Sequence, residues 1–301
     1  MGTLTARNYR AGILLVPALI RIEDRLDQHV LPPYRASSRC GRVRRSGIVK
    51  WGPRMATFLL VQPAWLGGWC WDKVAMRLRA HGHDVYAPTL TGLGERAHLA
   101  TPDVGLTTHI DDIVSVAEFD DLDDVILVGT SSGGTVITGV ANRIPGRIAS
   151  LVYLDAFVPS DGQCTFDLLP PERRGVVERL IETEGAGWLL PRLTPAPWPV
   201  ILRDIWRVTD PADTGWMLPR LRPTPARHFT EPIPPSGTDA DGIDRIYIRC
   251  LQCTPAPQFD AAAETARSDP AWRSVAIDTP HLPYVTHPDT VVTALTDVIS
   301  H

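Results

Sequence analysis

The chain is almost devoid of lysine. Only Lys50 and Lys73 are lysines among its 30 basic residues; the rest are arginines, a usage that fits a GC-rich coding sequence and does not by itself indicate nucleic acid. No apolar stretch approaches the roughly 18 residues that a membrane helix needs, so no membrane association is expected. The five cysteines, Cys40, Cys70, Cys164, Cys250 and Cys253, are odd in number and scattered, which excludes a disulfide framework. Cys250 and Cys253 form a C-x-x-C. With no second pair and no histidine cluster beside them, no metal site is expected. The thiols are expected to be reduced and the protein cytoplasmic.

What is present is the composition of a globular protein: 301 residues, 44% apolar and 21% charged, enough for one large α/β domain or two small ones. Its net charge of -4 hides an asymmetry. Residues 1–54 carry 11 basic and three acidic side chains, whereas the remainder carries 19 basic and 31 acidic ones. The apolar run Ala11 to Ile20 is followed by Arg-Ile-Glu-Asp, and no small-residue cleavage site appears, so it does not read as a signal peptide. Residues 1–54 read as a basic, disordered extension ahead of a natural start at Met55. The alternative is a basic arm that contacts a partner.

From Met55 the pattern becomes regular. Short apolar runs suited to buried parallel strands occur at Thr57–Val61, Asp84–Pro88, Asp124–Gly129, Ile148–Leu154, Arg245–Arg249 and Arg273–Ile277. Helical spacing is found over Asp72–His81, His109–Asp120, Gly133–Arg143 and Pro288–Ser300. This alternation predicts an α/β fold, a mostly parallel sheet with helices on both faces. Residues 156–242 interrupt it. They are rich in proline and hold Trp188, Trp198, Trp206 and Trp216. They read as a small helical cap, about residues 160–240, inserted before the last strands. The tryptophans suit cap core and ligand contact equally.

Gly129-Thr130-Ser131-Ser132-Gly133 is a G-x-S-x-G lying between an apolar strand and an apolar helix. That is the context in which the motif lifts a serine nucleophile above a sheet. The two glycines suit a turn too tight for side chains, and the helix N-terminus favours developing negative charge. A serine needs a base, and in this chain order the base follows it. His281, just after the last strand, is the candidate; His287 is the weaker one. Oxyanion donors are expected at the backbone N–H of Ser132 and in the loop after the first strand, where Pro63 has none and Ala64 does. The acid is less obvious. The stretch Cys250 to Thr254 holds no carboxylate. Asp155, ending the strand beside the nucleophile strand, is assigned, with Asp260 as its rival.

Residues 56–300 resemble the α/β-hydrolase superfamily, most closely the esterase-like bacterial branch related to plant hydroxynitrile lyases and methyl-salicylate esterases. Three stretches carry the resemblance: Ala64-Trp65-Leu66-Gly67-Gly68-Trp69-Cys70-Trp71, Ala87 to Arg96 (APTLTGLGER), and Leu151 to Pro159 (LVYLDAFVP). It implies a serine triad that needs no cofactor, working under a small cap. The more distant haloalkane dehalogenases place an acid at the position matching Asp155. The chain departs from the family pattern at the mouth of the site. Gln62-Pro63 stands for the usual His-Gly, Thr130 for a histidine, Ser132 for a bulky residue, and Pro280-His281-Leu282 for Gly-His-Asp. Trp65, Thr130 and Leu282 are expected to touch substrate. The leading expectation is cleavage of an ester, lactone or thioester of a medium-sized hydrophobic or aromatic small molecule. The sequence neither requires nor excludes a homodimer. A lyase or cyclase using the same pocket, and a ligand-binding homologue without turnover, are the alternatives. A cyanohydrin lyase would want a lysine in the site, and Lys73 is the only lysine near a site loop.

Overall fold

The computed structural model describes residues 55–236, 242–253 and 256–299; the expected N-terminal extension lies outside them. Six strands form one parallel sheet: β1 (Thr57–Val61), β2 (Asp84–Tyr86), β3 (Val125–Thr130), β4 (Ile148–Leu154), β5 (Asp244–Cys250) and β6 (Trp272–Ile277), in the spatial order β2-β1-β3-β4-β5-β6. The central strands are apolar because both faces are covered, and all six residues of β3 are buried. The pleat divides them by turns. Phe58 and Leu60 of β1 join the core on one face, while Leu59 and Val61 join that on the other.

Helices α1 (Asp72–Ala80) and α6 (Pro288–Ile299) cover the first face, with Val74, Leu78, Val291 and Leu295 inside. Helices α2 (Leu106–Phe119), α3 (Gly133–Arg143) and α5 (Pro257–Ser268) cover the second. Two boundaries differ from expectation by more than one residue. Helix α2 starts three residues before His109, because Leu106 begins the buried stripe that continues through Ile110, Ile113, Val114 and Ala117. Strand β2 stops at Tyr86, two residues before Pro88, which has no N–H to add to the ladder.

The insertion between β4 and β5 is mostly helical, as expected, with α4 (Pro171–Glu184) its longest helix. It also holds a small antiparallel ribbon that pairs Leu189–Leu190 with Thr224–Pro225. Sheet and insertion belong to one compact unit. The chain runs from β1 outward to β2, then returns to β3 on the other side of β1. The carboxyl edge at this reversal is where open α/β sheets form their ligand crevices.

Candidate active site

Ser131 follows β3 directly and adopts a left-handed backbone, φ 50°. A serine pays for that conformation, and the neighbouring glycines explain why it is imposed. A Cβ on Gly129 would lie 2.6 Å from the Gly133 carbonyl oxygen. One on Gly133 would lie 2.9 Å from the carbonyl oxygens of Val61 and Gln62. The turn is therefore pressed between its own ends and the end of β1. It is fastened by the Ser131 carbonyl, which accepts from Gly134 N at 3.1 Å and Phe157 N at 3.0 Å. Trp65 (φ 66°) and Asp155 (φ 47°) are strained in the same way just beyond β1 and β4. The segments leaving three adjacent strands thus each pass through a left-handed residue at one edge.

Asp155 is fully buried. Its Oδ2 lies 2.6 Å from His281 Nδ1 and accepts from Cys253 Sγ at 3.1 Å. Its Oδ1 accepts from the Arg249 guanidinium at 2.5 Å and from Cys250 N at 3.3 Å. Burial alone would raise this carboxyl. The bond and charge of His281, then Arg249 and the Cys253 thiol, outweigh it and hold the pKa below the ordinary value. The rival Asp260 has a side chain 62% exposed and is bound to Arg249 at 2.7 Å. It touches the far side of the same arginine and not the histidine.

Burial would lower the His281 pKa. The hydrogen bond to Asp155 and the neighbouring Cys253 sulfur, with their charges, override it and bring the imidazole up to about 9. The Phe259 ring stacks on the imidazole, 5.1 Å between centroids and 17° from parallel. Asp155, Cys253 and His281 are also a group of metal-ligating types, their donor atoms within 4.8 Å of one another. Those atoms already bond among themselves, and a metal would have to replace the shared protons.

Ser131, Ser132, Ala64, Trp65, His281 and Leu282 all line one cavity, which holds about 840 Å³ of space including its open mouth. Its remaining wall is largely apolar, with Phe157, Phe166, Trp206 and Phe229 under the cap. Thr130 is a correction. It is fully buried as the last residue of β3 and is not part of the cavity wall, because the turn points residue 131, not 130, into the opening. Gln62 is likewise turned away. With its amide oriented to suit its neighbours, it donates to Pro88 O at 3.0 Å and accepts from Leu90 N at 2.8 Å, so it braces the β2 loop.

The expected oxyanion donor Ala64 is occupied. Its N–H donates to Ser132 Oγ at 2.9 Å. The tryptophans of the cap divide in role. Trp206 lines the cavity, Trp198 packs on Trp65 and Trp206, and Trp216 packs edge-on against Trp69. Lys73 does not reach the cavity; its ammonium is bound to Asp213 at 2.5 Å and to Val285 O at 2.9 Å. Two residues of the site were not anticipated, Arg249 and Cys253. The second had a visible signal, since Cys253 stands in the stretch after the strand following the cap, where an acid was sought and none was found.

A family model described as the alpha/beta hydrolase family matches residues 58–294. Among curated relatives, a carbendazim hydrolyzing esterase of a Nocardioides species is 58% identical over 116 residues. That match covers 38% of this chain and 48% of the relative, about half its length. A pyrethroid hydrolase of Sphingobium wenxiniae is 28% identical over 258 residues, 79% of this chain and 86% of the relative. Among solved structures, an extracellular α/β-hydrolase from a Paenibacillus species superposes with a TM-score of 0.68 at 23% identity, over 80% of this chain and 98% of that one, which bears on the fold. With a six-stranded parallel sheet, a strained serine at its switch point and a family match from β1 to α6, the chain belongs to the alpha/beta hydrolase family.

Proposed function

We propose that the protein is a carboxylic ester hydrolase with Ser131 as nucleophile, His281 as general base and Asp155 as the orienting acid. The observation that carries this reading is the 2.6 Å bond between His281 Nδ1 and the buried Asp155, in a cavity that also holds Ser131. Ser131 Oγ attacks the ester carbonyl carbon while the free imidazole nitrogen takes its proton. The Nδ1–H remains bonded to Asp155, which fixes the tautomer and stabilises the imidazolium. The tetrahedral oxyanion lies at the N-terminus of α3, within reach of the Ser132 and Ala64 N–H groups, once the Ser132 hydroxyl yields its place on Ala64. His281 then protonates the departing alkoxide, and water activated by the same histidine releases the acid from the acyl-enzyme.

The substrate class is a medium-sized ester with an aromatic or otherwise hydrophobic body. The apolar, aromatic-lined cavity supports this, as do the names of the relatives, a carbendazim hydrolyzing esterase and a pyrethroid hydrolase. A cyanohydrin lyase would want a lysine in the site, and Lys73 is instead bound to Asp213 and is not among the residues lining the cavity. Activity-based labelling tests the proposal. A fluorophosphonate probe is expected to label Ser131 and to stop hydrolysis of nitrophenyl esters, and Ser131→Ala is expected to lose both. Full activity in Ser131→Ala, or no labelling of the intact protein, would sink it.

A further inference from the structure

We propose that Cys250 and Cys253 form a peroxide-sensitive dithiol beside His281, and that its oxidation to a disulfide reversibly suppresses hydrolysis. The activity part rests on the hydrolase reading above; the dithiol itself does not. Three observations carry it. First, Cys253 lines the cavity, so a small polar oxidant that enters with water meets its sulfur. Second, Cys250 is the fully buried last residue of β5 and stands three positions before Cys253. The two are joined by a tight turn with Leu251 and Gln252 at its centre. Such a turn holds its end Cα atoms within about 7 Å, close to the range that a disulfide spans. Third, Cys253 Sγ donates to Asp155 Oδ2 at 3.1 Å, so its chemical state is felt by the carboxylate that holds His281.

The thiols are also matched in reactivity. The neighbouring Cys250 thiol, assisted by His281, lowers the Cys253 pKa to about 6 against burial and the Asp155 charge. Burial raises Cys250. The pair therefore has an attacking thiolate and a resolving thiol. The sulfur of Cys253 attacks one oxygen of hydrogen peroxide. The O–O bond breaks, the departing oxygen leaves as water, and Cys253 becomes a sulfenic acid. The sulfur of Cys250 then attacks that of Cys253 and expels the second oxygen as water. Two thiols and one peroxide give one disulfide and two waters. Cys70 and Cys164 share neither feature: burial raises both, and neither is near a second described cysteine on the chain.

The disulfide would reach His281 by two routes. It draws the sulfur toward Cys250 and away from its 3.1 Å contact with Asp155 Oδ2. It also tightens the turn whose Leu251 N and Gln252 N donate to Ile277 O at 2.9 Å and Thr279 O at 3.0 Å, the segment that leads into His281. The experiment treats the full chain with hydrogen peroxide. It then follows nitrophenyl ester hydrolysis and, by mass spectrometry after thiol alkylation, the peptide that follows Arg249. The expected result is a loss of at least about tenfold, the scale of one charge-assisted contact, with the peptide lighter by two hydrogens and both changes undone by dithiothreitol. Cys250→Ser, which removes the resolving thiol, is expected to form no disulfide and not to regain activity on reduction once Cys253 is overoxidised.

The proposal is overturned if peroxide inactivates while both thiols of that peptide stay alkylatable. It is also overturned if the disulfide forms and the rate is unchanged, or if Cys250→Ser is inactivated and restored like the parent. A reduced protein without hydrolase activity would refute the hydrolase reading instead, and the peptide mass would then decide the dithiol alone.

Discussion

The sharpest test of the site is the pair Asp155→Asn and Asp260→Asn. Both aspartates bond Arg249, at 2.5 and 2.7 Å, yet only Asp155 holds the histidine. Asparagine at 155 can no longer accept a proton-sharing bond from an imidazolium, and it favours the wrong tautomer of His281. In a serine triad that change costs about ten-thousandfold in kcat, or about 5.4 kcal/mol of barrier. It also strips a fully buried carboxylate from an arginine whose side chain is 13% exposed. Breaking a buried pair costs about 3–5 kcal/mol of stability, here toward the lower end because Asp260 remains as partner. Asp260→Asn removes only an ion pair with an acid 62% exposed, worth about 0–1 kcal/mol, and should leave the rate within about twofold. The assays are nitrophenyl ester hydrolysis and thermal unfolding, with fluorophosphonate labelling to show that Ser131 is still presented. The reasoning fails if Asp260→Asn loses activity by orders of magnitude while Asp155→Asn, still folded, keeps it.

Three further outcomes are expected. On the proposed mechanism His281 acts as a base only when neutral, and with its pKa at about 9 kcat/KM should climb with pH through neutrality. Cys253 is one cause of that elevation, so Cys253→Ser should move the rising limb to lower pH; an unmoved pH–rate profile would contradict the coupling. Ser132→Ala frees the Ala64 N–H from the hydroxyl that caps it and should raise kcat/KM about fivefold while lowering stability by about 1 kcal/mol; a fall in rate would mean that the hydroxyl serves the oxyanion itself. The buried pair His109 and His228, Nδ1 to Nδ1 2.8 Å, has both pKa values lowered chiefly by burial. Its contribution to stability is complete above the unfolded value near 6.5 and is lost as pH falls below it, by up to about 1.4 kcal/mol per unit per histidine. The drop in Tm between pH 7.5 and 5.5 should therefore shrink in His228→Gln, and an equal drop would refute this.

The elements that were legible in the sequence are those whose pattern has one physical cause. Strands such as Val125–Thr130 are buried on both faces and read as unbroken apolar runs. The G-x-S-x-G turn announced its glycines because backbone presses on both. The cap was legible only as an interruption, since its short ribbon and turns are set by packing onto Trp65 and its neighbours and carry no period of their own. Thr130 was misplaced for a related reason. Spacing tells which residues share a turn, but the left-handed φ of Ser131 decides which one faces the cavity.

Arg249 and Cys253 belong to a different class, and they bear on why the proposed acid, Asp155, stands at the end of β4. The stretch after β5, where a carboxylate was first sought, carries instead the thiol of Cys253, and the end of β5 itself carries the cation of Arg249. Both donate to Asp155, from opposite sides of its carboxyl group: Arg249 and Cys250 N at Oδ1, Cys253 and His281 at Oδ2. A buried carboxylate is tolerated only when its lone pairs are filled and its charge is matched. Strand β5 fills two of those four contacts, the turn after it a third through Cys253, and the fourth is left to His281. The site has thus exchanged the two strand ends, donors standing on β5 and the acceptor on β4. No single motif records that exchange, because each half is meaningless until the parallel pairing of β4 with β5, Leu154 beside Ile248, sets the two strand ends side by side.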